Sequence, residues 1–181
     1  IPTSSTYLKL LNPHINKNID KKSLIYPFTL LPVSENNYFI RSKDGLLHYK
    51  NGKLVTEVNL LPYQPSQFVR INGHYYFFSQ TNKLYLLDEN KLTVTECQIS
   101  GNLLNKIDFS DSNKGISDLF WDYNNSDPCL LINNSLYSLT ASATNKTLVT
   151  CDLLTDAVPD NCSITSVIYS SKNHFIAFGT D

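Results

Sequence analysis

The side chains that could do chemistry are few, and their spacing decides what chemistry is open to them. Four aspartates, Asp108, Asp111, Asp118 and Asp122, cluster in one stretch. Two facing carboxylates could act as the acid and base of a glycosidase, yet these fall on loop and strand-end positions where turn formation and capping account for them. The same group offers oxygen ligands for calcium, but neither EF-hand spacing nor a glycine-rich nonapeptide accompanies it. The histidines, His14, His48, His74 and His174, are scattered without H-x-H or H-E-x-x-H spacing, and three of them fall in or at the start of expected strands. Ordinary half-buried roles fit them better than metal ligation. No G-x-S-x-G, phosphate-binding or dinucleotide-binding motif occurs. The expectation is no catalytic constellation, no metal and no cofactor.

Cys97, Cys129, Cys151 and Cys162 include no C-x-x-C pair, and no histidine pair stands beside them at zinc-ligand spacing. Four buried thiols in a reducing compartment is one reading; two disulfides in an oxidising compartment is the other. N-x-S/T sequons at Asn124, Asn133, Asn145 and Asn161 fall in or beside expected turns and loops. Sequons and cysteines in the same half of the chain favour disulfides, with Cys151 and Cys162 closing a short loop and Cys97 and Cys129 left to pair. The expected location is extracellular: secreted, or on a cell or virion surface.

Composition narrows the class. Of 181 residues only 17% are charged and the net charge is -1, which gives no basic stripe for nucleic acid and no charge excess for a disordered tail. No apolar run approaches the roughly 20 residues of a membrane-spanning helix. Eleven tyrosines, nine phenylalanines and no methionine, with much Val, Ile and Thr, favour strands. The chain starts at Ile1 without an initiator methionine, as a mature product, a fragment or a recombinant piece would.

The elements that must position these residues are best seen over 67–97, QFVRINGHYYFFSQTNKLYLLDENKLTVTEC. Four short strands alternate with three tight turns, at Asn72-Gly73, at 80–82 and at Glu89-Asn90. Asn-Gly between two β-rich runs is a strong hairpin signal because both central residues of a type I′ turn need positive φ. A like unit spans 28–58, with turns at 43–45 and at Asn51-Gly52. Tyr38 and Phe39 align with Tyr76 and Phe77, Leu46 with Leu84, and Lys53-Leu54 with Lys91-Leu92, all at an offset of 38 residues. A third unit spans 117–151 and a partial fourth 164–179, while 1–27 forms an N-terminal segment able to supply a closing strand. A fixed period near 40 signals one supersecondary unit repeated. The fold class is all-β: repeated four-stranded antiparallel sheets in a β-propeller-like arrangement, as a small closed ring or part of a larger propeller.

INGHYYFFSQTNKLYLLD resembles the repeat of small four-bladed hemopexin-type domains, and SKDGLLHYKNGKL is similar to sensor propeller repeats. The chain departs from the hemopexin pattern in lacking its Asp-Ala start, its Trp-Arg in the third strand and its bracketing cysteines, so the resemblance implies a fold and no functional residues. Propeller enzymes of the sialidase kind clamp a substrate carboxylate with three arginines, whose planar forks suit it. This chain has two, Arg41 and Arg70.

The aromatic run His74-Tyr75-Tyr76-Phe77-Phe78 must alternate between sheet faces, and in a blade both faces are covered by neighbours, so packing explains it before a ligand platform does. Trp121 is read the same way. Function is expected in what interrupts the repeat, chiefly the long polar segment 98–115 and the sequon-bearing loops. The leading expectation is a non-enzymatic surface glycoprotein module that engages a protein or glycan partner, as part of a receptor ectodomain or a viral or parasite attachment protein. A piece of a secreted propeller hydrolase, such as a glycosidase, is the alternative from another class. A structural repeat of an extracellular assembly is the third, and a second chain completing the fold is a further partner to expect.

Overall fold

The computed structural model describes residues 30–42, 44–79, 81–101, 118–120, 127–132, 135–155 and 164–180. Among them every regular element is a strand, and the sheets are built almost wholly from antiparallel pairs. The chain divides into two units, at Gln64 and Pro65. The N-terminal segment 1–27 lies outside the described residues.

In the first unit β1 (Leu30–Ser34), β2 (Asn37–Arg41), β3 (Gly45–Lys50) and β4 (Lys53–Asn59) form one antiparallel sheet in sequence order. The Asn-Gly signal holds here: Asn51 has φ 51° and Gly52 φ 72° at the β3–β4 turn. The preceding turn is closed by the Ser42 N–H donating to the Gly45 carbonyl at 2.8 Å, and by the Gly45 N–H donating to Ser42 Oγ at 3.1 Å. A side chain at Gly45 would run into the Val58 carbonyl, so close strand approach is what calls for glycine there. Residues Gly45 to Tyr49 are buried without interruption, the mark of a strand covered on both faces. Phe39 stacks on His48 with ring centroids 4.6 Å apart.

The second unit holds three sheets. β5 (Pro65–Ile71), β6 (His74–Ser79), β7 (Leu84–Asp88) and β8 (Thr93–Glu96) repeat the four-stranded order, with Asn72 at φ 49° and Gly73 at φ 84° in the first turn. The next sheet has five strands: β10 (Asp118–Phe120), β11 (Cys129–Ile132), β12 (Ser135–Ala141), β13 (Leu148–Thr155) and, on its outer edge, β9 (Gln98–Ser100). β14 (Ile164–Ser170) and β15 (Phe175–Thr180) form a two-stranded sheet.

β9 corrects an expectation. Residues 98–100 were to begin a polar loop, but they pair in parallel with β13, Gln98 opposite Leu148 through Ser100 opposite Thr150. The β5–β8 sheet thereby hands its chain directly onto the edge of the next. Gly101, at φ 96°, ends the pairing where any side chain would meet the Cys151 carbonyl.

Two apolar layers join the three sheets. Val69, Ile71, Tyr76, Phe78, Leu84 and Leu86 of the β5–β8 sheet pack with Leu130, Tyr137, Leu139, Ala141 and Val149 of the five-stranded sheet. On that sheet's other side Cys129 and Leu136 pack with Val167, flanked by Leu131, Leu154, Tyr169 and Ile176. The middle sheet is therefore buried on both faces. The aromatic run of β6 is core, as expected: Tyr75 to Ser79 are all buried, and Phe77 lies between Phe68 and Tyr85 at 5.2 and 5.5 Å.

The layers also dispose of the expected Cys97–Cys129 disulfide. Cys97, Cys129 and Cys151 are buried thiols, none of them in a disulfide. Cys97 and Cys151 belong to the first layer and Cys129 to the second, so Cys97 and Cys129 are assigned to opposite faces of the β11–β12–β13 sheet. Cys162, the expected partner of Cys151, lies outside the described residues.

A cleft at the ends of three sheets

Within the second unit, the ends of all three sheets converge on an open cleft of about 390 Å³, within the size range of small-molecule sites. Arg70, Ile71 and Asn72 come from the end of β5 and its turn, and Asp127 and Pro128 precede β11. Ser138, Leu139 and Thr140 come from β12, and Tyr169 and Ser171 from the end of β14 and its turn. The lining mixes one guanidinium, one carboxylate, an amide and several hydroxyls with the apolar surfaces of Ile71, Leu139, Pro128 and Tyr169.

Much of this polarity is committed to holding the walls together. The Asp127 N–H donates to the Tyr169 carbonyl at 2.7 Å. Asp127 Oδ2 accepts the Ser171 N–H at 2.7 Å and the Ser171 hydroxyl at 2.5 Å, short charge-assisted bonds that pin the β14–β15 turn to the segment before β11. The Leu139 N–H donates to the Pro128 carbonyl at 3.1 Å. On the opposite wall Asn72 Nδ2 donates to the Ala141 carbonyl at 3.0 Å, which ties the β5–β6 turn to the end of β12. Ser138 Oγ donates to the Asp152 carbonyl at 3.3 Å.

Arg70 is positioned differently. Its Nε–H donates to the Gly73 carbonyl at 3.2 Å, and its guanidinium carbon lies 5.3 Å from the centroid of the Tyr75 ring, a cation–π placement. The Tyr169 phenol is shifted upward, by burial first and then by the negative charge of Asp127 and the neighbouring Cys129. It stays a neutral hydroxyl at physiological pH.

The residues singled out by sequence are distributed unevenly about this cleft. Arg70 lines it; Arg41 lies in the first unit, half-buried on β2, with desolvation lowering its affinity for a proton. His48 is a core residue stacked on Phe39, with Nε2 at 2.6 Å from Asn37 Oδ1 and its pKa lowered by burial and then by Lys50. His74 sits 3.3 Å from the buried Glu89, whose other oxygen accepts the Tyr75 N–H at 3.3 Å. His174 closes the β14–β15 turn at φ 53°. His14, Asp108, Asp111, Trp121, Asp122 and the segment 102–115 lie outside the described residues, and of Asp118 only the backbone in β10 is described. Among the described residues no three of His, Cys, Asp and Glu gather as a metal site, and no helix is long and apolar enough to cross a membrane.

Of the sequons, Asn145 is described, and it is exposed. Its Oδ1 accepts the Thr147 N–H at 3.2 Å and the Thr147 hydroxyl at 2.8 Å, an Asx turn that joins the two functional residues of the N-x-T triplet. Asn124, Asn133 and Asn161 lie outside the described residues. Asp127, Ser138, Thr140 and Tyr169 escaped sequence reasoning. Asp127-Pro128 was legible only as the end of a polar loop, and nothing local tells a cleft-lining serine or threonine from any other strand residue.

Comparison with protein-family models, with curated proteins and with solved structures finds no match to this chain.

Proposed function

We propose that this chain is a binding module of a secreted or surface glycoprotein, that its sheets follow one another as the blades of a propeller do, and that it engages a glycan at the cleft between their ends rather than transforming it. One observation carries the reading: three successive sheets place their turns and strand ends around a single open, mostly polar cleft. Binding sites favour such places, where a rigid scaffold presents turns and loops. The stacking of three sheets through two apolar layers supports the blade-like order. An exposed Asn145 within its sequon, on the short turn before β13, supports a glycosylated chain, since a glycan there would meet no core residue.

A glycan suits the lining better than a protein anchor does. Protein interfaces bury large aromatic or aliphatic side chains in dry central pockets, whereas here hydroxyl, amide and charged groups surround a modest apolar floor. The experiment is a glycan array probed with the folded chain and with Thr140→Trp. Thr140 is exposed on the cleft wall, so a tryptophan fills the cleft without entering the core. Retained glycans should bind the variant at least tenfold more weakly at an unchanged melting temperature. Equal binding by both proteins would remove the cleft from the account, and hydrolysis of an array member would move the chain to the hydrolase class.

A further inference from the structure

We infer that the cleft selects a carboxylate-bearing saccharide, a uronic or sialic acid residue, and that Arg70 is the residue that reads the carboxylate. This rests on the cleft being the binding site. A guanidinium carries five N–H donors in a planar fork. In Arg70 the Nε–H is spent on the Gly73 carbonyl and one side of the group lies by the Tyr75 ring, so both contacts fix the plane, while among the described residues the donors on the two terminal nitrogens stay available. The ion pairs among the described residues are His74 with Glu89 and Lys83 with Glu96, and neither involves Arg70. The cleft's carboxylate, Asp127, is bonded twice to Ser171 and serves as a strut of the wall.

The cleft thus offers a pre-positioned cation, and two parallel N–H donors match the two oxygens of a carboxylate. The surfaces of Ile71, Leu139 and Tyr169 suit the C–H face of a pyranose, and the Asn72 amide oxygen and Thr140 hydroxyl suit its ring hydroxyls. Because the guanidinium is already oriented, little rotamer freedom remains to be lost on binding.

The test is an NMR titration of the whole chain at millimolar probe concentration. The probes are glucuronate and N-acetylneuraminate, the methyl esters of both, and N-acetylglucosamine 6-sulfate. Each acid should bind at least tenfold more tightly than its ester. Arg70→Gln should erase that preference, while Arg70→Lys, which keeps the charge and loses the fork, should retain only part of it; melting temperatures report whether the variants fold. Acid and ester binding equally, in a manner Thr140→Trp abolishes, would overturn the role of Arg70 and leave the cleft standing as a glycan site. Preference for the sulfate over both acids would likewise overturn the carboxylate assignment. Binding that ignores Thr140→Trp, or no binding by any probe, would overturn both readings.

Discussion

Cys97, Cys129 and Cys151 owe their character to burial. Each thiol is pushed up to about 12, chiefly by desolvation; the negative charge of Asp127 adds to this at Cys129 and that of Asp152 at Cys151, while at Cys97 a backbone hydrogen bond from Leu86 opposes it and Glu96 adds a smaller push upward. Tyr49 and Tyr76 are raised to about 12 as well, again chiefly by burial, and the Tyr76 hydroxyl donates to the Lys146 carbonyl at 2.8 Å. In the unfolded chain these groups ionise near their ordinary values, about 8.5 for Cys and about 10 for Tyr. The folded state therefore holds its protons where the unfolded state has released them. Stability from these five groups is complete below about pH 8 and is lost as the pH rises towards 12, because the unfolded chain then binds fewer protons. Urea midpoints should hold steady from pH 7 to 8 and fall by pH 10.5, with a shallower fall in Cys151→Ala. A midpoint unchanged between pH 8 and 10.5 would mean that these thiols and phenols are solvated.

Among the elements, β6 and β12 are well protected: each has hydrogen-bonded neighbours on both edges, β6 is buried from Tyr75 to Ser79, and β12 contributes to an apolar layer on either face. The β14–β15 hairpin is the least protected. Among the described residues its two strands pair only with each other, Ile168 and Phe175 are exposed, and its turn places His174 in the left-handed region. Two-stranded sheets are marginal in water unless one face packs, and here Val167, Tyr169 and Ile176 supply that packing. Amide exchange should release β15 through openings of much lower free energy than β6 or β12. Equal protection would mean that further strands cover the β15 edge.

Much of this architecture was legible because its signals are local. Asn51-Gly52 and Asn72-Gly73 announce their turns by needing positive φ, and short runs rich in aromatic and β-branched residues mark the strands beside them. The offset of 38 residues aligned composition but not register: Leu46 faces Arg41, whereas its counterpart Leu84 faces Phe78, one place along from the equivalent of Arg41. A one-residue slip changes which face a side chain takes, and a repeat offset cannot reveal it. β9 was illegible for another reason. Three residues carry too little pattern to declare a strand, and their partner lies about fifty residues away in β13.

At the scale of the whole molecule, the cleft is the feature that sequence could not supply. Arg70, Thr140 and Tyr169 lie on three sheets and Asp127 on the segment before β11, and they meet only because those sheets stack in chain order. Their types are ordinary and their spacing carries no motif, whereas the interruption at 98–115 stands out in the sequence as the longest polar break in the repeat. These two places make different predictions about where a ligand lands. The most direct measurement is an amide chemical-shift map of the isotope-labelled chain with N-acetylneuraminate. Shifts confined to Arg70–Asn72, Ser138–Thr140 and Tyr169–Ser171 are what the cleft predicts; shifts that leave these residues untouched and fall on 102–115 would contradict it.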